Sequence, residues 1–291
     1  MVSPRVWLVT GSSSGFGLSI CKLALARGDR VVATLRKPSA IAALSAQWGL
    51  GALLVLQVDV TRPEEVAHAF AAATAHFGRV DVVFNNAGMS IVGEVEGVPE
   101  ADARRLMDVN FWGALAVCKA AVRCFREDNP AGAGGLLFNM SSAAGQCCPP
   151  ATAYYNATKH ALEGLSETLA AEVDPTWNIR VCILAPGFFR SPITDNAPTF
   201  PVHPAYTSVR SVQHMRDIIA KTGDPTRPLP VGDVDKACRA IFEVSALEHP
   251  PLRLFLGTDC TRAMREKCEK LLADLDASAT WSESLQEDPL P

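Results

Sequence analysis

Apolar residues recur along this chain in two alternating rhythms. Short aliphatic or β-branched runs at Val6 to Thr10, Val31 to Thr34, Ala52 to Val58, Val80 to Phe84, Leu136 to Met140 and Ile179 to Leu184 read as strands buried on both faces. Between them lie longer segments whose apolar residues return at helical spacing. They run around Leu18, Cys21 and Leu25, then over Ala40 to Trp48, Pro63 to Phe77, Glu100 to Phe125 and Ala153 to Val173. Gly28 stands where the first helix should stop, and Pro63 where a later one should start. Strict alternation of strand and helix predicts an α/β fold, a doubly wound parallel sheet with helices on both faces.

The rhythm breaks after Gly187. Residues 188–230 are rich in Pro and aromatic residues and are expected to form a substrate lid. Regular structure should resume with a helix near Asp233 to Leu247, a strand at Leu252 to Leu256 and a helix from about Thr261 to Leu275. The expected organisation is one catalytic domain over residues 1–275 and a loosely held polar tail over 276–291.

Two motifs add chemistry to this frame. Gly11, Gly15 and Gly17 follow the first strand at once and open the first helix. A glycine turn in a βαβ unit lets backbone approach a pyrophosphate that rests on the helix N-terminus, so a Rossmann-type dinucleotide site is expected. The spacing is G-x-x-x-G-x-G rather than the commoner G-x-G-x-x-G. Further on, Tyr155 and Lys159 are one helical turn apart, which puts an ammonium beside a phenol. A free phenol, with a pKa of about 10, is a poor base at neutral pH. A fixed positive charge nearby is expected to lower that value and make the Tyr an acid/base for an alcohol or ketone oxygen. The plainer reading of such a pair is a surface Tyr packed on a Lys stem. All the strand-end motifs fall at the carboxyl edge of the sheet, where ligands bind in such folds.

Composition narrows the field. The 291 residues carry a net charge of −4, with 48% hydrophobic and 20% charged residues, which argues against a nucleic-acid or anionic-membrane partner. No apolar run is long enough to span a membrane, and the first strand begins within a few residues of the start without a signal-peptide pattern. Nine scattered Cys with no C-x-x-C pair read as free thiols of a reducing, cytoplasmic protein, and the six His offer no metal cage.

With these residues in view, the chain resembles the short-chain dehydrogenase/reductase family from Arg5 to Gly257. The likeness rests on TGSSSGFG, Asp59-Val60, Asn85-Asn86-Ala87-Gly88, Asn110, Ser142, Tyr155-x-x-x-Lys159 and Pro186-Gly187. RVVATLRK, LMDVNFWGAL, PGFFRS and PLRLFLGTD are similar to its hydroxysteroid- and retinol-dehydrogenase-like branch. The resemblance implies an oxidoreductase that interconverts a ketone or aldehyde and an alcohol on a lipophilic small molecule. Tyr155 would be the acid/base, Lys159 would tune it and bind the nicotinamide ribose, Ser142 would orient the substrate oxygen, and Asn110 would hold a water leading to Lys159. It further implies a coenzyme site of Gly11, Ser12, Ser13, Gly15, Phe16, Gly17, Leu35, Arg36, Asp59, Val60, Asn86, Ala87, Gly88, Pro186 and Gly187, together with Tyr155 and Lys159. Homo-oligomers are common in the family, and no metal is required.

Several of these positions have a plainer reading. Ser142 could cap a loop, Asn110 could be a polar residue inside a helix, Asp59 could close its own turn, and Ser141 reads as structural. In the segment Ala33 to Lys37 no acid is present to bond an adenine ribose. Leu35 stands where an NAD-preferring member would carry one, and Arg36 can grip a 2′-phosphate with help from Ser12 and Ser13. NADP(H) is therefore the expected coenzyme, with NAD(H) as the alternative. By position, Met89, Cys147, Cys148, Phe188 and Phe189, with Ser142, are expected to line the substrate site. The competing reading is a non-catalytic NADP-binding sensor on the same fold.

Overall fold

A computed structural model describes residues 3–223, 226, 231–283 and 285. The strands are β1 (Val6–Thr10), β2 (Arg30–Leu35), β3 (Leu53–Gln57), β4 (Val82–Asn85), β5 (Gly135–Met140), β6 (Ile179–Pro186) and β7 (Arg253–Leu256). They form one parallel sheet of seven strands in the order β3-β2-β1-β4-β5-β6-β7. The winding reverses between β1 and β4, and a crevice opens there at the carboxyl ends.

Alternation along each strand explains why both faces are covered. In β1, Trp7 and Val9 point into a core shared with Ile20 and Leu25 of α1 (Gly15–Ala26), Leu44 of α2 (Ala42–Gln47) and Ile241 of α9 (Val234–Val244). Val6 and Leu8 point the other way, onto Phe70 of α3 (Pro63–Phe77) and Val117 of α5 (Ala114–Arg123). A strand apolar at every position needs helices on both sides, as the sequence pattern required.

The segment expected to run as one helix from Glu100 to Phe125 is subdivided. It comprises α4 (Glu100–Met107), a π-helical turn over Asp108–Gly113, α5, and a second π-helical turn over Cys124–Asp128. Propensity and apolar spacing are blind to such a widened turn, which adds a residue without breaking the helix. Next come α6 (Ala153–Glu172), α7 (Pro192–Asp195) and α8 (Arg210–Gly223). The chain therefore returns to helix inside the Pro-rich segment, and Val212 and Ile219 of α8 pack with Val92 and Ala151. Residues 224–225 and 227–230 of that segment lie outside the described residues, as do 284 and 286–291 of the expected tail. The last helix, α10, runs Thr258–Ser278 and leads into a 3₁₀ turn over Ala279–Trp281. The start of the expected tail is thus helical. Its exposed Leu271, Leu272 and Leu275 gave no core-facing period by which to extend the helix in sequence.

Candidate active site

The glycine turn is a tight backbone cradle. Gly11 has φ +67° and Gly15 φ +52°, conformations that favour glycine. A Cβ on Gly17 would stand 2.4 Å from the Gly11 carbonyl oxygen, so helix α1 can start this close only with glycine there. Thr10 ties the turn to the NNAG segment: its Oγ1 accepts from both the Asn86 and Ala87 N–H groups at 2.9 Å. Asn86 Nδ2 returns a hydrogen bond to Thr10 O at 2.9 Å. The cradle at the N-terminus of α1 and the crevice beside it fit the pyrophosphate and nucleoside of a dinucleotide.

Across the crevice stand the four polar groups picked out from the sequence. Ser142 follows β5, and its Oγ accepts from the Ala144 N–H at 3.2 Å, capping a 3₁₀ turn. The same hydroxyl reaches Pro186 O at 3.5 Å, and it favours the phenolate of Tyr155 on α6. The capping and substrate-facing readings of Ser142 are therefore compatible. Lys159, 4% exposed, donates from Nζ to Met140 O at 2.7 Å. Its Nζ also stands over the Tyr155 ring, 5.7 Å from the centroid. Asn110 lies in the π-helical turn and is wholly buried. Its Oδ1 accepts from Met89 N–H at 2.9 Å, and its Nδ2 donates to Met89 O at 2.9 Å and to Thr158 Oγ1 at 3.1 Å. Asn110 is a clamp on the loop after β4, and its side-chain amide is fully engaged by protein. A Cβ on Gly88 would lie 3.3 Å from Asn110 Oδ1 and 3.8 Å from Lys159 Nζ, so Gly88, Asn110 and Lys159 meet at one point.

The electrostatics correct one expectation. Burial raises the Tyr155 phenol above its ordinary value, with the Ser142 hydrogen bond opposing. Burial pushes the Lys159 ammonium down to about 8, with the Glu163 carboxylate opposing. Desolvation therefore outweighs the expected depression of the phenol by its Lys neighbour.

Other expected residues divide between the crevice and the framework. Ser12 is fully buried and its Oγ donates to Thr34 O at 2.8 Å, so it closes the glycine turn on β2 and has no hydroxyl to offer a phosphate. Leu35 is 3% exposed and belongs to the main core, so it does not face a ribose. Ser13 and Arg36 are exposed. Asp59 does close its own turn, accepting from Thr61 N–H at 3.0 Å and Thr61 Oγ1 at 2.8 Å. Burial raises its carboxyl, but these bonds and the nearby Arg36 and Arg62 outweigh that and hold it below its ordinary value. Val60 is buried behind it against Gly113.

Of the residues expected to line the substrate site, Met89 packs, as Tyr155 and Phe200 do, against the cluster of Ile91, Val98, Ala103 and Leu106. Phe189 is turned away: it is 8% exposed and makes an edge contact with Phe16 at 5.3 Å, and both belong to the packing of the main core. Strand-end position gave no hint of which consecutive Phe turned inward. Cys147 faces α10, its Sγ 3.9 Å from Met264 Sδ. Cys148 is exposed and lies 3.8 Å from His160 Nε2. It borders a cavity of about 430 Å³ that also touches Ala153, Ala157 and His160, a different face of α6 from Tyr155 and Lys159. Cys148 is therefore not a wall of the crevice that holds Tyr155.

Two framework residues were missed by sequence reasoning. Thr10, as the last residue of β1, looked like an ordinary strand residue. Asp259, in the first turn of α10, accepts from Phe188 N–H at 2.7 Å and lies against Gly187, where a Cβ would be 2.2 Å from its Oδ2. It braces the Pro186-Gly187 turn from more than 70 residues away in sequence. Its only local signal was an acid at a helix start.

Among the described residues no helix is long and apolar enough to cross a membrane, and no His/Cys/Asp/Glu group could hold a metal. The short chain dehydrogenase family model matches residues 5–200. An uncharacterized oxidoreductase of Schizosaccharomyces pombe is 35% identical over 282 residues, covering 97% of this chain and 91% of that one. A short-chain dehydrogenase from Streptomyces avermitilis superposes with a TM-score of 0.85 at 35% identity, over 98% of this chain and 100% of that one. Two Burkholderia short-chain dehydrogenases at 22% identity share the fold. That of B. phymatum is in complex with NAD (TM-score 0.78, covering 99% of this chain and 98% of that one). That of B. cenocepacia is in complex with NADP (TM-score 0.70, covering 94% and 97%). Fold, glycine cradle and full-length relatives agree, and the chain belongs to the short-chain dehydrogenase/reductase family of oxidoreductases.

Proposed function

We propose that this chain is an NADP(H)-preferring oxidoreductase that interconverts a ketone or aldehyde and the corresponding alcohol on a lipophilic small molecule. The observation that carries the reading is the convergence of Ser142, Tyr155 and buried Lys159, whose Nζ stands 5.7 Å from the Tyr155 ring centroid, at the sheet edge that also holds the glycine cradle. The coenzyme would lie along Gly11 to Gly17, Asp59-Val60 and Asn86 to Gly88, with Pro186-Gly187 and Lys159 at its nicotinamide end. Bound there, it would supply the hydride.

The protein handles the proton. With its pKa raised, Tyr155 carries its phenolic hydrogen at neutral pH and can donate it to a carbonyl oxygen. Ser142 holds that oxygen and the phenol in line, and Lys159 returns a proton toward the phenolate. Arg36, exposed at the end of β2, would pair with a 2′-phosphate. Met89 and Phe200, which pack on the same apolar cluster as Tyr155, would give the substrate side an apolar wall together with Phe188, and the segment from residue 188 would act as a lid. Free thiols at all nine Cys support a reducing compartment such as the cytoplasm.

The test is NADPH consumption with a panel of ketones and aldehydes. Tyr155→Phe is expected to lower kcat by at least about 10³-fold while NADPH affinity stays within about 3-fold. Tight NADPH binding with no turnover of any carbonyl would instead favour the sensor.

A further inference from the structure

Glu163 is a carboxylate with 1% exposure on α6, one turn beyond Lys159. Its Oε1 accepts from Ser141 Oγ at 2.7 Å. Its Oε2 accepts from Gln146 Nε2 at 2.5 Å and from Arg253 Nε of β7 at 2.9 Å. Arg253 also pairs with Glu167, one turn further along α6. A Cβ on Gly145 would fall 2.2 Å from Glu163 Oε1, so the loop backbone lies directly on the carboxylate.

These partners are not a random set. Ser141 and Gln146 bracket Ser142, so one carboxylate draws both ends of the serine loop onto the helix that carries Tyr155. The bond from Lys159 to Met140 O fixes the residue before the loop to the same helix. Three donors converge on Glu163, and only an acceptor-only group with four lone-pair sites can satisfy them all. A buried carboxylate is costly without compensation, and Arg253 and Lys159 are the cations that offset it. We propose that Glu163 is a positioning residue that sets the Ser142 hydroxyl against Tyr155. This proposal rests on the acid–base reading of Ser142 and Tyr155 given above.

Glu163→Gln keeps the size but turns an amide toward Gln146 and Arg253, so the loop should loosen at that end. The first readout uses coenzyme-free protein. The chain has 3 Tyr, so the phenolate absorbance of Tyr155 can be isolated by subtracting the Tyr155→Phe titration. Ser142→Ala should raise the Tyr155 midpoint by removing a hydrogen bond that favours the phenolate. Glu163→Gln should shift the midpoint in the same direction, and should add little in the Ser142→Ala background. The second readout is reduction of an aryl ketone by NADPH, where Glu163→Gln should lower kcat about 10- to 100-fold with NADPH affinity unchanged, and again little in the Ser142→Ala background. Should Glu163→Gln not fold, Ser141→Ala removes one arm of the bracket and should show the same non-additivity at smaller size. An unmoved midpoint and rate, or equal losses in both backgrounds, would overturn the role of Glu163 alone. If Ser142→Ala moves neither readout, the acid–base assignment itself falls, and the positioning role with it.

Discussion

Lys159 and Leu35 show what burial does to single side chains at this site. Lys159 has a pKa near 8 because desolvation disfavours its charge. A group whose value is depressed loses its proton as pH rises past that value. For reduction, kcat/KM, which reports the free enzyme, should therefore hold below pH 8 and decline above it. A profile flat through that range would disconnect Lys159 from proton supply. Leu35 is in the core, so Leu35→Asp would bury an unpaired carboxylate and cost about 3 kcal/mol or more, seen as a lower Tm. It is a poor probe of coenzyme choice. Arg36→Ala is the cleaner one: the NADPH-over-NADH preference should fall about 10- to 100-fold with Tm unchanged, and an unaltered ratio would remove Arg36 from phosphate recognition. At this scale the residue types of the site were legible because their chemistry is local: glycines at a turn, Ser, and a Tyr with Lys on one helix face. What could not be read was orientation. Whether Ser12, Leu35 or Phe189 points to the crevice or into the core depends on packing partners far along the chain.

Among the elements, α8 is fastened to the loop after β4 by one buried pair. Arg216 donates from Nε to Glu94 Oε1 at 2.7 Å and from Nη2 to Oε2 at 2.9 Å, and Nη1 reaches Phe200 O at 2.9 Å. The His203 N–H also donates to Glu94, at 3.1 Å. These bonds, led by those from Arg216, lower the Glu94 carboxyl from 4.5 to about 2 against the opposing effect of burial. A depressed carboxyl stabilises the fold fully above its unfolded value, so a contribution on the order of 3 kcal/mol should be lost as pH falls from 4.5 to about 2. Arg216→Ala would leave the carboxylate buried and uncompensated at neutral pH. Substrate KM should rise and protease cleavage within 188–223 should speed up, with NADPH affinity kept. Unchanged cleavage would mean that α8 is held by its apolar contacts alone. Strands and helices of the sheet, and the helices after Asp233, were legible in advance from periodicity, whereas α7 and α8 were hidden by Pro and by short apolar faces that pack on one another rather than on the sheet.

Over the whole molecule, the two cores absorb most of the reactive sulfur. Cys148 and Cys268 are exposed, Cys147 is intermediate, and the other six are buried. Burial pushes the Cys118, Cys182 and Cys260 thiols up to about 12, which further suppresses thiolate. A thiol reagent should therefore label two sites quickly and a third slowly in native protein, and all nine after denaturation. Fast labelling of more than three would mean that the cores open readily. The sheet as a whole was legible because every strand was apolar on both faces and every strand end carried a motif. The ties that bind the far C-terminal elements to the site, Arg253 to Glu163 and Asp259 to Phe188, join residues whose distance in sequence no local pattern bridges.

The widened turn at Asp108–Gly113 constrains the spacing of the chain in a way that composition does not. Each π-turn accommodates one residue more than an α-helix would, so deleting a single residue there would still leave an acceptable helix. The flanking stretches would keep their relative facing, because the widened turn takes up the added residue locally. What the deletion would remove is the local displacement that brings Asn110 to the Met89 backbone. The extra residue therefore serves the neighbouring loop rather than the helix that contains it.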